Sequence, residues 1–292
     1  MHTVYFGDNL QALQTLGDNS VHLIYVDPPF NTGQPRRLQR LSATADPGGS
    51  RRGYGDRRYR TSVRGEISYD DAFDDYLAFL KPRLAEAHRV LAHSGSLYFH
   101  IDYREVHYCK ILLDQIFGRR AFLNEIIWAY DYGARTRRRW PAKHDNILVY
   151  VKDPSAYTFN YDALDRIPYL APGLVGPEKA ARGKTPTDTW WHTIVAPQSR
   201  ERTGYPTQKP LAILERIVRA SSNPGETVLD FFAGSGTTGE AAATLGRRFI
   251  LVDNHPAALR TMRARLAPFQ PRWITLTSHA ANDHESTPPG ES

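Results

Sequence analysis

The chain alternates short apolar runs with segments whose apolar residues recur every three or four positions. Val4 to Phe6 reads as a strand that stops at Gly7-Asp8, and Leu10, Leu13 and Leu16 then follow at helical spacing. The run VHLIYV, residues 21–26, has the continuous apolar character of a strand buried on both faces, and it stops at Asp27-Pro28-Pro29. Phe73, Leu77, Leu80, Leu84 and Val90-Leu91 mark a helix that Pro82 should kink or divide. Gly95 opens a strand over 96–101, residues 106–117 form an amphipathic helix, and strands follow at 124–130 and 146–151. The alternation resumes after residue 203, with helices at 211–220, 237–245 and 257–266 and strands at 228–232, 248–252 and, briefly, 274–276. Strand–helix alternation of this kind predicts an α/β fold, a mostly parallel sheet covered by helices on both faces.

Three stretches break the pattern. From about residue 32 to 65 the chain becomes rich in Arg, Gly and Ser and reads as a long mobile loop. Residues 153–202 carry prolines at 154, 168, 172, 177, 186 and 197 and read as a small loop-rich insertion. The polar tail 278–292 is expected to be disordered. No apolar run is long enough to span a bilayer and no secretory leader is visible, so a soluble, cytoplasmic protein is expected. A single cysteine excludes a disulfide framework or a multi-cysteine zinc site, and His88, His93, His100 and His107 lack paired ligand spacing, so no metal is expected.

Charge changes the picture. The chain of 292 residues has a net charge of +6, yet the segment 34–64 alone, with Arg36, Arg37, Arg40, Arg51, Arg52, Arg57, Arg58, Arg60 and Arg64, carries +7. A second cluster, Arg135, Arg137, Arg138, Arg139 and Lys143, adds +4 within 131–143, so the rest of the chain is acidic. Positive charge confined to two segments fits a polyanion footprint, although a solvated arginine-rich loop has the same composition.

Two segments carry candidate chemistry. In VLDFFAGSGTTG, residues 228–239, a strand enters a Gly-x-Gly turn and then a helix, and Asp253 ends the next strand. Glycines there admit a ligand close to the backbone, and an acid at that distance suits ribose hydroxyls. On its own the segment leaves a dinucleotide or another nucleoside-bearing cofactor open, while the missing Gly-Lys-Ser/Thr speaks against a phosphate loop. In Asp27-Pro28-Pro29-Phe30 the prolines end a strand abruptly, leaving a carboxylate and a carbonyl as acceptors beside an aromatic plane. An amino group on a flat heterocycle needs those three things.

Together the two segments resemble the permuted, β-class amino-methyltransferases of DNA, in which the catalytic half precedes the cofactor half. GDNLQAL (7–13), YVDPPFNTG (25–33), GSLYFHID (95–102), TGYPTQKP (203–210), LDFFAGSGTT (229–238) and LVDNHPAALRTMRARL (251–266) all fit that family. The resemblance implies a Rossmann-like class I methyltransferase with a seven-stranded sheet and S-adenosyl-L-methionine as cofactor. It implies one methyltransferase domain formed by 1–152, the catalytic half, and 203–277, the cofactor half. The arginine-rich loop 33–66 and a target-recognition insertion at 153–202 interrupt that domain. By motif position, Asp27, Pro28, Pro29 and Phe30 would form the catalytic pocket. Asp8 and Asn9 would lie near the cofactor's adenine, and Phe232, Ala233, Gly234 and Gly236 along its methionine portion. Asp253 would hold the ribose, Thr207 and Lys209 would meet the carboxylate end, and Asp27, Asp230, Ser235, Thr237 and Asn254 complete the expected cofactor set. Phe231 stands where many relatives carry proline.

The implied reaction moves a methyl group to the exocyclic amine of a flipped base in double-stranded DNA. Asp27 and Phe30 lean toward adenine N6, with cytosine N4 as the rival. Arg36, Arg37, Arg51, Arg52, Arg57, Arg58, Arg135, Arg137, Arg138, Arg139 and Lys143 are the candidate DNA contacts. Duplex DNA is the expected partner, and the resemblance leaves a homodimer and a cognate restriction endonuclease open. A DNA-binding protein with a silent methyltransferase fold is the alternative from another class. Methylation at carbon 5 of cytosine would need a nucleophilic cysteine, and Cys109 lies on an amphipathic helix where packing is its expected role.

Overall fold

The computed structural model describes residues 1–33, 36–52, 57–69, 71, 73–131, 136–196 and 198–277, without the side chains of 36–43, 51 and 63–69. Its elements, in chain order, are β1 (Thr3–Phe6), α1 (Asn9–Gln14), β2 (Val21–Val26), β3 (Arg36–Ala45), β4 (Arg51–Arg52), β5 (Arg58–Tyr69), α2 (Tyr76–Val90) and β6 (Leu91–Ile101). They continue with α3 (Val106–Phe117), β7 (Phe122–Ala129), β8 (His144–Val151), α4 (Pro177–Arg182), β9 (Thr189–Trp191), α5 (Leu211–Ser221) and β10 (Thr227–Asp230). Last come α6 (Thr237–Thr244), β11 (Arg248–Asp253), α7 (Pro256–Leu266) and β12 (Arg272–Thr275).

The main sheet runs β12-β1-β11-β10-β2-β6-β8-β7-β9. Pairing is parallel from β12 to β6, antiparallel on both sides of β8, and parallel again between β7 and β9. The sheet therefore has nine strands where seven were expected. The extra edges are β12, which the brief apolar run at 274–276 had signalled, and β9, which lies in the stretch whose prolines had concealed any regular element.

Helices cover both faces. Ala12, Leu13, Leu80, Leu84, Val106, Cys109 and Leu113, from α1, α2 and α3, pack on one side with Ile24, Val26 and Phe99. Ile213, Ile217, Ala241, Met262 and Leu266, from α5, α6 and α7, pack on the other with Leu23, Tyr25 and Val228. Asp8 and Asp75 cap α1 and α2 by accepting from the amides of Gln11 and Ala78. Pro82 does not divide α2, which runs through it as one helix with buried Leu80 and Leu84 on either side.

The arginine-rich segment also differs from its expected form. Here β3, β4 and β5 build a three-stranded antiparallel sheet, in the order β3-β5-β4, where an irregular loop was expected. Thr, Val, Ile and Tyr alternate with Arg and Ser along β5, a period-two pattern that the loop-like composition of the surrounding segment drew attention away from. Buried Asp71 latches its base: one carboxylate oxygen accepts from the Asn31 amide at 2.8 Å and the other from the Thr32 hydroxyl at 2.5 Å. Among the described residues no helix is long and apolar enough to cross a membrane. The tail 278–292 lies outside them.

Candidate active site

Strand order decides where the chemistry lies. β2 and β10 are parallel neighbours, with Leu23 beside Val228 and Ile24 beside Leu229, so Asp27 and the turn after Asp230 leave the sheet side by side. Phe6 pairs with Asp253 and Val26 with Phe99, which brings Gly7-Asp8 and Asp102 to the same carboxyl edge. From β2 the chain crosses by α2 on one face, and from β10 by α6 on the other. The crevice opens where these connections diverge, the usual ligand position in such sheets.

A cleft of about 1270 Å3 occupies it. Asp27, Pro28, Pro29 and Phe30 line it, as do Asp8, Asn9, Thr207, Lys209, Asp230, Phe232, Ala233, Gly234, Ser235, Thr237, Asp253 and Asn254. Gly236 does not. A Cβ there would meet Met262 Cγ at 2.8 Å, so this glycine lets α6 approach α7 instead of bordering the cleft. Gly234, at φ +51°, does face it, beside Tyr205.

At the β2 end, Asp27 Oδ2 accepts from Lys209 Nζ at 2.5 Å, and that ammonium stands 5.1 Å from the centre of the Phe30 ring. Asp27 Oδ1 is buried and finds no hydrogen-bond donor among the described residues. Behind it lies an enclosed polar chain. Burial, with Asp27, Asp230 and Asp145 nearby, raises the Tyr25 phenol far above its ordinary value, so it stays protonated and donates to His100 Nδ1 at 2.7 Å. His100 Nε2 then donates to Asp145 Oδ2 at 3.2 Å, a tautomer assigned from the network. Burial alone would raise Asp145, but the hydrogen bond from His100, with help from Lys209 and Tyr130, holds it below its ordinary value. Since His100 Nδ1 accepts from Tyr25, it offers no proton to Asp27 Oδ1, 3.9 Å away.

At the β10 end two carboxylates sit at the glycine turn. Burial pushes Asp230 up to about 7 against the opposing hydrogen bonds from Thr238 and the Phe232 amide. Asp253 is partly open to the cleft yet ringed by protein, which pushes it up to about 6 while the amides of His255 and Gly234 pull it down. Carboxylates at this turn suit hydroxyl donors and a cation rather than a pyrophosphate. Across the cleft, Arg83 of α2 stacks 3.9 Å over Phe79, donates to Asn9 Oδ1 at 2.6 Å and pairs with Asp8 at 3.0 Å. Asn9 in turn donates to the Phe231 carbonyl at 2.8 Å, and Phe232 lies 6.1 Å from Phe79. This aromatic recess with amide and carboxylate edges fits a nucleoside.

The sequence reading missed Phe79, Arg83, His100, Asp145 and Asp71. Phe79 and Arg83 carried a faint signal, an aromatic and a cation four positions apart on one helix. Cys109 sits in the core, where burial pushes its thiol up to about 12, which suits packing and not nucleophilic attack.

The basic residues lie apart from this interior. Arg52 and Arg58 are exposed on the small sheet, Arg57 just before β5, and Arg137, Arg138 and Arg139 on the β7–β8 connection; Arg139 alone of these lines the cleft. Lys143 is half-buried. Arg36 and Arg37 lie on β3 and Arg51 on β4, with side chains outside the described part, and Arg135 lies outside it altogether. In the insertion, Trp190 is buried under Arg216 and Trp191 is exposed.

An α/β sheet opened at this edge, with a nucleoside recess joined to an acceptor pocket, is the architecture of the class I methyltransferase fold. The chain belongs to the DNA methylase family, whose model matches residues 21–264. It is 32% identical over 259 residues to type II methyltransferase M.HpaI of Haemophilus parainfluenzae, covering 88% of this chain and 71% of that protein. It is 32% identical over 264 residues to DNA adenine methyltransferase YhdJ of Escherichia coli K12, covering 86% and 78%. Among solved structures it matches TTHA0409, described as a putative DNA modification methylase of Thermus thermophilus, complexed with S-adenosyl-L-methionine. That match has a TM-score of 0.58 and 22% identity, covering 96% of this chain and 100% of the other. The chain is thus a DNA methyltransferase.

Proposed function

We propose that the enzyme methylates N6 of an adenine flipped out of duplex DNA, with Asp27, Pro28, Pro29 and Phe30 as the pocket for that base. The observation that carries this reading is the buried Asp27 Oδ1, an acceptor without a donor among the described residues, beside an aromatic ring. Such an atom is costly to leave unpaired, and an incoming N–H satisfies it. Bound S-adenosylmethionine supplies a methyl group already activated on a sulfonium. Asp27 Oδ1 and the Pro28 carbonyl accept the two N–H bonds of the amine and orient its lone pair, while Phe30 stacks on the ring. Lys209 neutralises the far oxygen of Asp27, and the His100–Asp145 pair keeps a proton from reaching the near one. Asp8, Asn9, Phe232 and Asp253 serve the nucleoside part of the cofactor; Asp230, Ala233, Gly234, Ser235, Thr237, Asn254 and Thr207 complete its surroundings.

Adenine is favoured over cytosine by the Asp-Pro-Pro-Phe sequence and by the naming of YhdJ as an adenine methyltransferase. Residues 1–152 and 203–277 act as one catalytic unit in this reading, and 153–202, with exposed Trp191, as the target-recognition insertion. The reading extends to a homodimer, a cognate restriction endonuclease and residence at the nucleoid in the cytoplasm. Asp27→Ala should lower methyl transfer at least about a thousandfold while cofactor affinity, read by calorimetry, changes little. Mass analysis of nucleosides from DNA modified by the native enzyme should give N6-methyladenine; N4-methylcytosine as the sole product overturns the choice of base.

A further inference from the structure

The connection from β7 to β8 presents a tryptophan that no packing explains. Trp140 is 96% exposed, while Trp128 and Trp190 are at 2% and 8%. Its neighbours are not remote from the site: Thr136, Arg139, Pro141 and Ala142 all line the cleft that holds Asp27 and Phe30. Trp140 therefore stands on the rim of that cleft, between two residues that face into it. The base of the connection is fastened by the Tyr130 amide donating to the Lys143 carbonyl at 2.9 Å and by Lys143 Nζ donating to the Asp131 carbonyl at 2.8 Å. Pro141 restricts the residue before it to extended backbone. Arg137, Arg138 and Arg139, all exposed, precede the ring directly. Trp191, the other strongly exposed tryptophan at 78%, has no such basic neighbours and no adjacent residue on the cleft.

We propose that Trp140 is a stacking wedge for duplex DNA, entering the gap that the target base leaves and covering the orphaned partner strand. The inference rests on the reading of the cleft as a flipped-base pocket. Extruding a base exposes the faces of its former neighbours to water, and an aromatic plane inserted there restores part of the lost stacking. Phe30 cannot do this from inside the cleft, where it faces the flipped base itself. The three arginines, one of them on the cleft wall, engage the phosphates on either side and set the depth of the ring. An exposed tryptophan flanked by cations matches a ligand that is both polyanionic and stacked, which duplex DNA is.

The test compares Trp140→Ala, Trp140→Phe and the native enzyme under single-turnover conditions on three DNA substrates. These are an intact duplex, the same duplex with an abasic site opposite the target, and the target single strand. On the intact duplex Trp140→Ala should be slower than native by about ten- to a hundredfold, with Trp140→Phe between them. The abasic site should recover most of that loss, because no orphan base then needs covering. The ratio of single-strand to duplex rates should rise about tenfold or more in Trp140→Ala. A duplex rate equal to native, or the same loss on all three substrates, overturns the wedge while leaving the pocket assignment standing. Absence of transfer by the native enzyme to any of the three overturns the flipped-base reading and the wedge with it.

Discussion

Asp230 and Asp253 show how single residues couple the site to pH. Their ordinary value of 3.8 is raised to about 7 and about 6, chiefly by burial. The folded chain therefore keeps these protons over an interval in which the unfolded chain has released them. The stability they contribute is full below about pH 4 and is lost as pH climbs through the raised values. The melting temperature of the cofactor-free protein should fall by about 3 °C or more between about pH 5 and about pH 8, and the decline should be shallower in Asp230→Asn. Cofactor affinity should move the other way, since a cationic ligand gains when these groups ionise. Calorimetry across the same interval checks this, and an affinity that declines with rising pH would contradict the role given to the two carboxylates.

Helix α6 depends on a different economy, that of space. Gly236, at φ +75°, begins it, and a methyl group there would press on Met262 Cγ at 2.8 Å. Gly236→Ala should cost about 1–3 kcal/mol of stability, read by denaturant unfolding, through both backbone strain and overpacking. The sequence exposed this turn plainly, as it did the break at Asp27-Pro28, because glycine and proline constrain the backbone wherever they stand. It also exposed the central strands, whose apolar runs have few other uses. His100 and Asp145 were illegible for a physical reason: they belong to β6 and β8, and only the pairing order carries them behind Asp27. The small basic sheet was missed because the Arg, Gly and Ser content of the segment reads as loop even though β5 alternates, and because Asp71, which latches it, lies 40 positions from Asn31. Gly236 itself was misjudged, since a Gly-x-Gly turn does not reveal which glycine faces ligand and which faces core.

For the molecule as a whole the governing feature is separation of charge. An acidic cleft edge with Asp27, Asp230 and Asp253 is accompanied by basic surface on the small sheet and the β7–β8 connection. Replacing exposed Arg57 and Arg58 together by alanine should weaken duplex binding and reduce the slope of log affinity against log salt by about 1–2, with cofactor binding unaltered. An unchanged slope would remove the small sheet from the DNA footprint. The interleaving of the main sheet has another consequence, for synthesis. β2 leaves the ribosome early, but its neighbour β10 begins only at Thr227, about 200 residues after Val26. At ordinary elongation rates of ~5–20 residues per second, one edge of β2 waits on the order of 10–40 s for its partner. A nascent chain in that interval has its acceptor pocket half-built and its cofactor wall missing. Interruption within that interval leaves β2 with an unpaired edge, the kind of edge that templates aggregation.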